Sequence, residues 1–285
     1  MSTTTASNAS HRNGEASTAA RLDRVKSRQR ANSSVPLIAV IGGCGGAGAS
    51  TLAASVAVAA LRMRRQVILF DADSLGGGLA PLVALGTLLC GREERAEQPW
   101  PHGIDPPDGE PLPQRDGTEP DLALVTWGGE DGDRIPVAAM RNALRTLRGS
   151  ADIVVVDLPR CIDDSTQLVL AEATHTLVIA PVSERAAVAT GRLLPRLALL
   201  GPPPLLVARL PGRDELTARQ FAQALGVPLA GVIKPRRGSL PRGGQAGQLG
   251  GRYAPSLDRF SRRLIERCGI ASAAEERATG TQVIV

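Results

Sequence analysis

Between residues 41 and 52 the chain reads IGGCGGAGASTL, with five glycines in twelve positions. This run lies between a short β-branched stretch, LIAVI at 37–41, and a helical apolar pattern over 50–63. Few backbones accommodate that succession; a strand, a tight glycine turn and a helix N-terminus do. Unpaired N–H groups and the helix dipole at such a junction attract phosphate, and glycine lets the ligand approach the backbone closely. Ser50 and Thr51 stand where a phosphate loop places a hydroxyl on Mg²⁺. The same letters also read as Gly43-x-Gly45-x-x-Gly48, a dinucleotide fingerprint, with Asp71 at the end of the next strand as the ribose-binding acid. A third reading is purely structural: a glycine turn that lets helix 50–63 pack close. Spacing alone leaves all three open.

The rest of the chain alternates in the same way. Apolar runs at 67–70 (VILF), 122–127 (LALVTW), 152–157 (DIVVVD), 176–181 (TLVIAP), 205–210 (LLVARL) and 227–233 (VPLAGVI) read as strands. Helical patterns cover 136–148, 164–173, 183–199, 214–225 and 256–268, and Pro195 is expected to kink or end its helix. In helix 50–63 the residues Leu52, Val56, Ala59 and Met63 form one apolar face. Strands alternating with helices predict an α/β fold, doubly wound, with a mostly parallel sheet and helices on both faces. DIVVVD is apolar throughout its middle, as in a strand buried on both sides.

Three segments stand outside the alternation. Residues 1–34 are Ser-, Thr-, Ala- and Asn-rich, carry six basic and two acidic residues, and are expected to be a disordered basic tail. Residues 91–121 form an acidic, Pro-rich excursion within the domain at 35–269, and 270–285 read as a C-terminal tail. The stretch 91–134 has a net charge of −8 and 209–267 a net charge of +8, a contrast able to guide self-association. No apolar run approaches the roughly 20 residues of a membrane span, and the N-terminus lacks a secretory signal's apolar stretch. The expectation is a cytoplasmic protein.

Composition matters most for lysine. The chain carries 33 Lys and Arg, but only Lys26 and Lys234 are lysine. The glycine loop therefore has no lysine, and Ala49 occupies the position where a phosphate loop normally carries one. An arginine can replace that charge in part, but a guanidinium is bulky for a tight loop. The four cysteines are far apart with no CxxC pair, so neither a zinc site nor a disulfide framework is expected. His11, His102 and His175 form no recognisable catalytic pair with an acid.

The acids favour phosphate chemistry. FDAD places Asp71 and Asp73 at the tip of the second strand, and DIVVVDLP places Asp157 at the end of a buried one. In open α/β sheets ligands bind outside the carboxyl ends of the strands. An acid there, with the Ser50 hydroxyl, suits Mg²⁺ held partly through water. The alternative for Asp157 is a cap on helix 164–173.

Together GGCGGAGAST, VILFDADSLGGGLAPLVALG and DIVVVDLP resemble the MinD/ParA group of deviant Walker-A ATPases, a P-loop NTPase type. Within it the chain is most similar to the actinobacterial CpaE-like proteins, also called septum-site-determining protein Ssd and related to TadZ, on DADSLGGGL, VVVDLPR and LGVPLAGVIKP. The resemblance covers about residues 35–268. It implies ATP and Mg²⁺ as ligands, with Gly43, Cys44, Gly45, Gly46, Ala47, Gly48, Ala49, Ser50, Thr51 and Asp71 holding nucleotide. Ser50 and Asp157 are the implied Mg²⁺ site, and Asp73 the residue that orients the attacking water. It further implies a homodimer, and partners in septum placement or in Flp/Tad pilus and secretion machinery. The group's pattern KGGxGK[ST] departs here at both lysines, replaced by Cys44 and Ala49, so hydrolysis is expected to be slow at most. The final helix, with Leu257, Phe260, Leu264 and Cys268 on one face and arginines around the other, suits either a peripheral membrane contact at the inner face or packing on the sheet. DNA binding through Arg236, Arg237 and Arg242 has no base-reading motif beside it.

Overall fold

A computed structural model describes residues 35–73, 78–82, 98–100, 121–127, 134–211, 217–235 and 253–267. The expected tails, most of the acidic excursion, Lys26, His11, His102, Cys268 and Arg236, Arg237 and Arg242 lie outside these residues. The elements in order are β1 (Leu37–Gly42), α1 (Ala49–Arg62), β2 (Val67–Asp71), β3 (Gln98–Trp100), β4 (Leu122–Trp127), α2 (Val137–Arg148), β5 (Ile153–Leu158), α3 (Asp164–Glu172), β6 (His175–Pro181), α4 (Glu184–Leu200), β7 (Leu205–Arg209), α5 (Ala218–Leu225), β8 (Leu229–Ile233) and α6 (Ala254–Arg267).

The strands form one sheet in the order β3-β4-β2-β5-β1-β6-β7-β8, and every pairing is parallel. This is the expected doubly wound architecture, with every strand running the same way. β1, β2 and β5 are buried along their whole length. Their runs of Val, Ile and Leu follow from that, because helices cover both faces and no side chain can alternate out to water. Ile38, Val40, Leu69 and Val155 share a core with α1 and α6, while Ala180, Leu206 and Ala208 share one with Ala186 of α4 and with Phe221 and Ala222 of α5.

Three expectations are corrected. Helix α1 is not a one-faced helix: every residue from Leu52 to Ala60 is buried, because α6 packs on the side turned away from the sheet. Helix α4 does not end at Pro195 but runs through it to Leu200. The ring removes one backbone bond, to the carbonyl of Gly191, while Ala186, Thr190, Leu194 and Leu197 keep the helix anchored along its length. The acidic excursion contains a three-residue edge strand, β3, beside β4.

The last helix settles into the fold. Leu257, Phe260, Leu264 and Ile265 are buried, and α6 packs on α1 and β8. A Cβ on Gly231 would stand 2.3 Å from the Phe260 ring, so the glycine of the LAGVI strand is what admits the aromatic. The apolar face proposed for a membrane is thus covered by protein. Among the described residues no helix is long and apolar enough to cross a membrane.

Candidate functional site

The glycine loop crosses the carboxyl edge of the sheet where β1 ends between β5 and β6. Gly43 is fixed by packing as well as by turn geometry. Its N–H donates to the Ile179 carbonyl at 2.8 Å, and a Cβ there would lie 2.4 Å from Thr190 Oγ1. Gly46 and Gly48 have φ of +66° and +99°, values that disfavour any side chain. Gly48 is the N-cap of α1 and offers no side-chain acceptor, so it leaves the N–H groups of the first turn without a side-chain cap.

The two positions that lack lysine are turned to packing. Cys44 is half-buried against the apolar clusters on both sides of the sheet, and the Ala49 methyl packs on the cluster around α1. Neither residue projects a group across the loop toward a ligand's charge.

Directly beside the loop lies the acid group. Register pairs Asp157 of β5 with Val40 of β1 on one side and with Asp71 of β2 on the other. Asp157 is 2% exposed and Asp71 7%. The Ser50 hydroxyl, at the head of α1, is in hydrogen-bonding reach of the Asp157 carboxylate. Burial is the largest influence on that carboxyl and pushes its pKa up to about 7; the Ser50 bond opposes, and the charges of Asp71 and Asp73 add to the rise. The Asp73 N–H donates to Asp71 Oδ1 at 3.2 Å, and the Ala72 N–H to the Asp157 carbonyl at 3.0 Å, which holds the end of β2 against β5. Sequence reasoning therefore names residues that the fold does assemble: the loop 43–51, Asp71, Asp73 and Asp157. The capping alternative for Asp157 is ruled out by geometry, since Asp163 caps α3 by accepting from the Thr166 N–H at 2.9 Å.

Strand order also separates the two glycine-loop readings. A dinucleotide fold places the second strand, with its ribose-binding acid, immediately beside the first. Here β5 intervenes between β1 and β2, so Asp71 is one strand too far and Asp157 is the loop strand's acidic neighbour. The dinucleotide reading is corrected on this ground. His175 starts β6, at the opposite end of the sheet from the loop, and takes no part in the site.

The acids and Ser50 offer hard oxygen ligands of the kind Mg²⁺ takes. Among the described residues no three His, Cys, Asp or Glu side chains are grouped as a metal cage. The donor set fits a cation that keeps water and relies on its ligand's phosphates, the usual habit of Mg²⁺.

Two side chains that sequence reasoning did not assign lie against the loop. Arg160 Nη1 is 3.7 Å from the Cβ position of Gly45. Arg209 Nη2 donates to the Gly46 carbonyl at 3.1 Å, and its guanidinium carbon lies 5.6 Å from the centre of the Tyr253 ring. Both are in quoted strand motifs, VVVDLPR and LLVARL. The available signal was an arginine at the carboxyl end of a strand, the edge where ligands bind. Lys234, by contrast, follows β8, three strands from β1, and its N–H bonds to Ser256 Oγ at 3.0 Å.

No family model matches this chain. Over 252 residues it is 32% identical to uncharacterized proteins from two strains of Mycobacterium tuberculosis, an alignment covering 84% of this chain and 61% of each relative. The chain thus spans about three fifths of the length of those relatives. Among solved structures it is similar to the septum site-determining protein MinD complexed with Mg-ADP from Pyrococcus horikoshii, with a TM-score of 0.60 at 17% identity, covering 84% of this chain and 99% of that one. It is also similar to a ParA family ATPase from Chlorobium tepidum, with a TM-score of 0.56 at 15% identity over 81% and 99% of the two chains. A chain of the MinC:MinD cell division protein complex of Aquifex aeolicus matches with a TM-score of 0.55 at 17% identity over 81% and 96%. The chain has the fold of MinD/ParA ATPases.

Proposed function

We propose that this chain is a MinD/ParA-type protein, of the CpaE-like branch, that binds a Mg²⁺-nucleotide on the loop 43–51 and hydrolyses it slowly or not at all. The observation that carries the proposal is the sheet register that sets Asp157 beside Asp71 at the foot of the glycine loop, with the Ser50 hydroxyl in hydrogen-bonding reach of Asp157. The N–H groups at the head of α1 would receive phosphate oxygens. Ser50, and Asp157 through water, would hold Mg²⁺, and Asp73 would orient an attacking water. Bound Mg²⁺ supplies charge neutralisation on the phosphates. Losing one well-placed phosphate cation costs about 3 kcal/mol of transition-state stabilisation, close to a hundredfold in rate. Binding survives this loss better than turnover does, because backbone donors remain.

The biological role we propose is spatial: a homodimer that positions septum or Flp/Tad-type pilus machinery and switches weakly with nucleotide. The solved likeness to MinD in complex with MinC supports a partner in division machinery. The buried apolar face of α6 gives no support to a membrane contact through that helix. DNA is not among the proposed partners.

A fluorescent ATP analogue titrated into the full chain with and without Mg²⁺, with NADH as competitor and phosphate release followed in parallel, tests this. Mg²⁺-dependent binding with little turnover, unaffected by NADH, is the expected result. Rapid phosphate release would make the chain a working ATPase. No binding at millimolar nucleotide would leave a scaffold independent of nucleotide.

A further inference from the structure

A nucleotide on this loop would bring several negative charges to a place already occupied by Asp71, Asp73 and Asp157. A single divalent cation does not balance them, and the loop has no lysine. We propose that Arg160 and Arg209 are the phosphate-binding cations of this site, in place of lysine. This rests on the reading of the loop as a nucleotide-phosphate site.

The two arginines reach the loop from opposite flanks. Arg160 lies just beyond β5 and Arg209 ends β7, and β5 and β7 are on opposite sides of β1 in the sheet. Arg160 Nη1 stands over Gly45, at 3.7 Å from the point where a Cβ would be. Arg209 bonds the Gly46 carbonyl at 3.1 Å, and its Nη1 is 3.9 Å from the Cβ position of Gly48. This arrangement answers the objection of bulk. A guanidinium rooted inside a glycine turn has no room, but one delivered from a strand end lies over it, at ordinary contact distance from Gly45 and Gly48.

The donors suit the task. A guanidinium presents five N–H groups in a planar fork that grips phosphate oxygens in pairs. Arg160 is exposed, and no hydrogen bond or ion pair ties it to the described residues. Arg209 makes one hydrogen bond to them and is braced by the Tyr253 ring at 5.6 Å, a cation–π contact that limits its wandering. One arginine is thus preset against the loop, and the other is untied among the described residues and able to close on a ligand.

The test is a set of dissociation constants for AMP, ADP and ATP with Mg²⁺, measured on the full chain and on Arg160→Gln, Arg209→Gln and Arg209→Lys. Each Gln variant should weaken ATP roughly 10- to 100-fold, the worth of a charged hydrogen bond. ADP should lose less and AMP little, and Arg209→Lys should stay within about tenfold of the unaltered chain. Unchanged ATP affinity in both Gln variants would overturn the cation role while leaving the nucleotide site standing. Equal losses on AMP, ADP and ATP would also overturn it, because a residue that only shapes the loop does not count phosphates. If the unaltered chain binds no nucleotide, the underlying reading fails and this one with it. Should Arg209→Gln melt below the assay temperature, Arg160→Gln and Arg209→Lys carry the decision.

Discussion

The two halves of the candidate site carry their charge in different ways. On the acid side, Asp71 and Asp157 are strand residues held opposite each other by sheet register, and both are buried. On the loop side, the residues best placed by chain position, Cys44 and Ala49, are packed inward. The positive groups come instead from strand ends distant in sequence, Arg160 and Arg209. The acid half is intrinsic to its motifs, whereas the cationic half is assembled by topology. A loop that has lost its lysine, and with it stabilisation of phosphoryl transfer, can thus still have cations beside it for binding.

The largest expected effect comes from breaking the loop half mechanically. Gly43→Val forces a side chain into Thr190 and Ala180, overpacking that costs about 3 kcal/mol. Thermal melting should fall by roughly 6–12 °C for a domain of this size, and nucleotide binding should go with it. A melting curve unchanged from the parent would mean that the loop does not sit against α4 as described.

The acid half is expected to behave in the opposite sense. Asp157 takes up its proton more readily folded than unfolded, since its carboxyl is pushed up to about 7 from its ordinary value of 3.8. Stability from this group is therefore full at low pH and is lost as pH rises between those values, with Mg²⁺ absent. Asp157→Asn should flatten that pH dependence and raise the melting temperature at pH 8 by several degrees. The same variant should lose the Mg²⁺ dependence of nucleotide binding. If the melting temperature of Asp157→Asn at pH 8 is lower than the parent's, the buried acid is a structural support rather than a destabilised ligand site.

The smallest effect sharpens the contrast by leaving the site alone. Arg62 and Asp258 join α1 to α6 at 2.7 Å, but both are well exposed. Such pairs contribute at most about 1 kcal/mol. Arg62→Ala should shift melting by no more than roughly 3 °C and leave nucleotide affinity unchanged. A larger loss of affinity would show that α6 communicates with the loop, through Tyr253 and Arg209.

Much of the fold was legible because it is written locally. β-branched runs marked β1, β2 and β5, and the glycines marked the turn into α1. Strand order is not local, and it is what set Asp157 beside β1 and moved Asp71 one strand away. The short β3 escaped because Pro99 and an acidic neighbourhood look nothing like a buried strand; an edge position tolerates both. The four-residue spacing in α1 suggested a single apolar face, because nothing in that segment reveals that α6 covers the other. The acids of the site were legible from strand ends. Arg160 and Arg209 were visible in the same motifs but not assigned, since only the three-dimensional crossing of β5 and β7 past the loop gives them a common neighbour.

The central claim is that this loop receives Mg²⁺-nucleotide without a lysine. Calorimetric titration of ATP into the full chain, once with Mg²⁺ and once with the metal chelated, tests it most directly. Saturable binding that needs Mg²⁺ and disappears in Asp157→Ala is the predicted result. No saturable heat at millimolar ATP, or binding indifferent to both Mg²⁺ and Asp157, would contradict it.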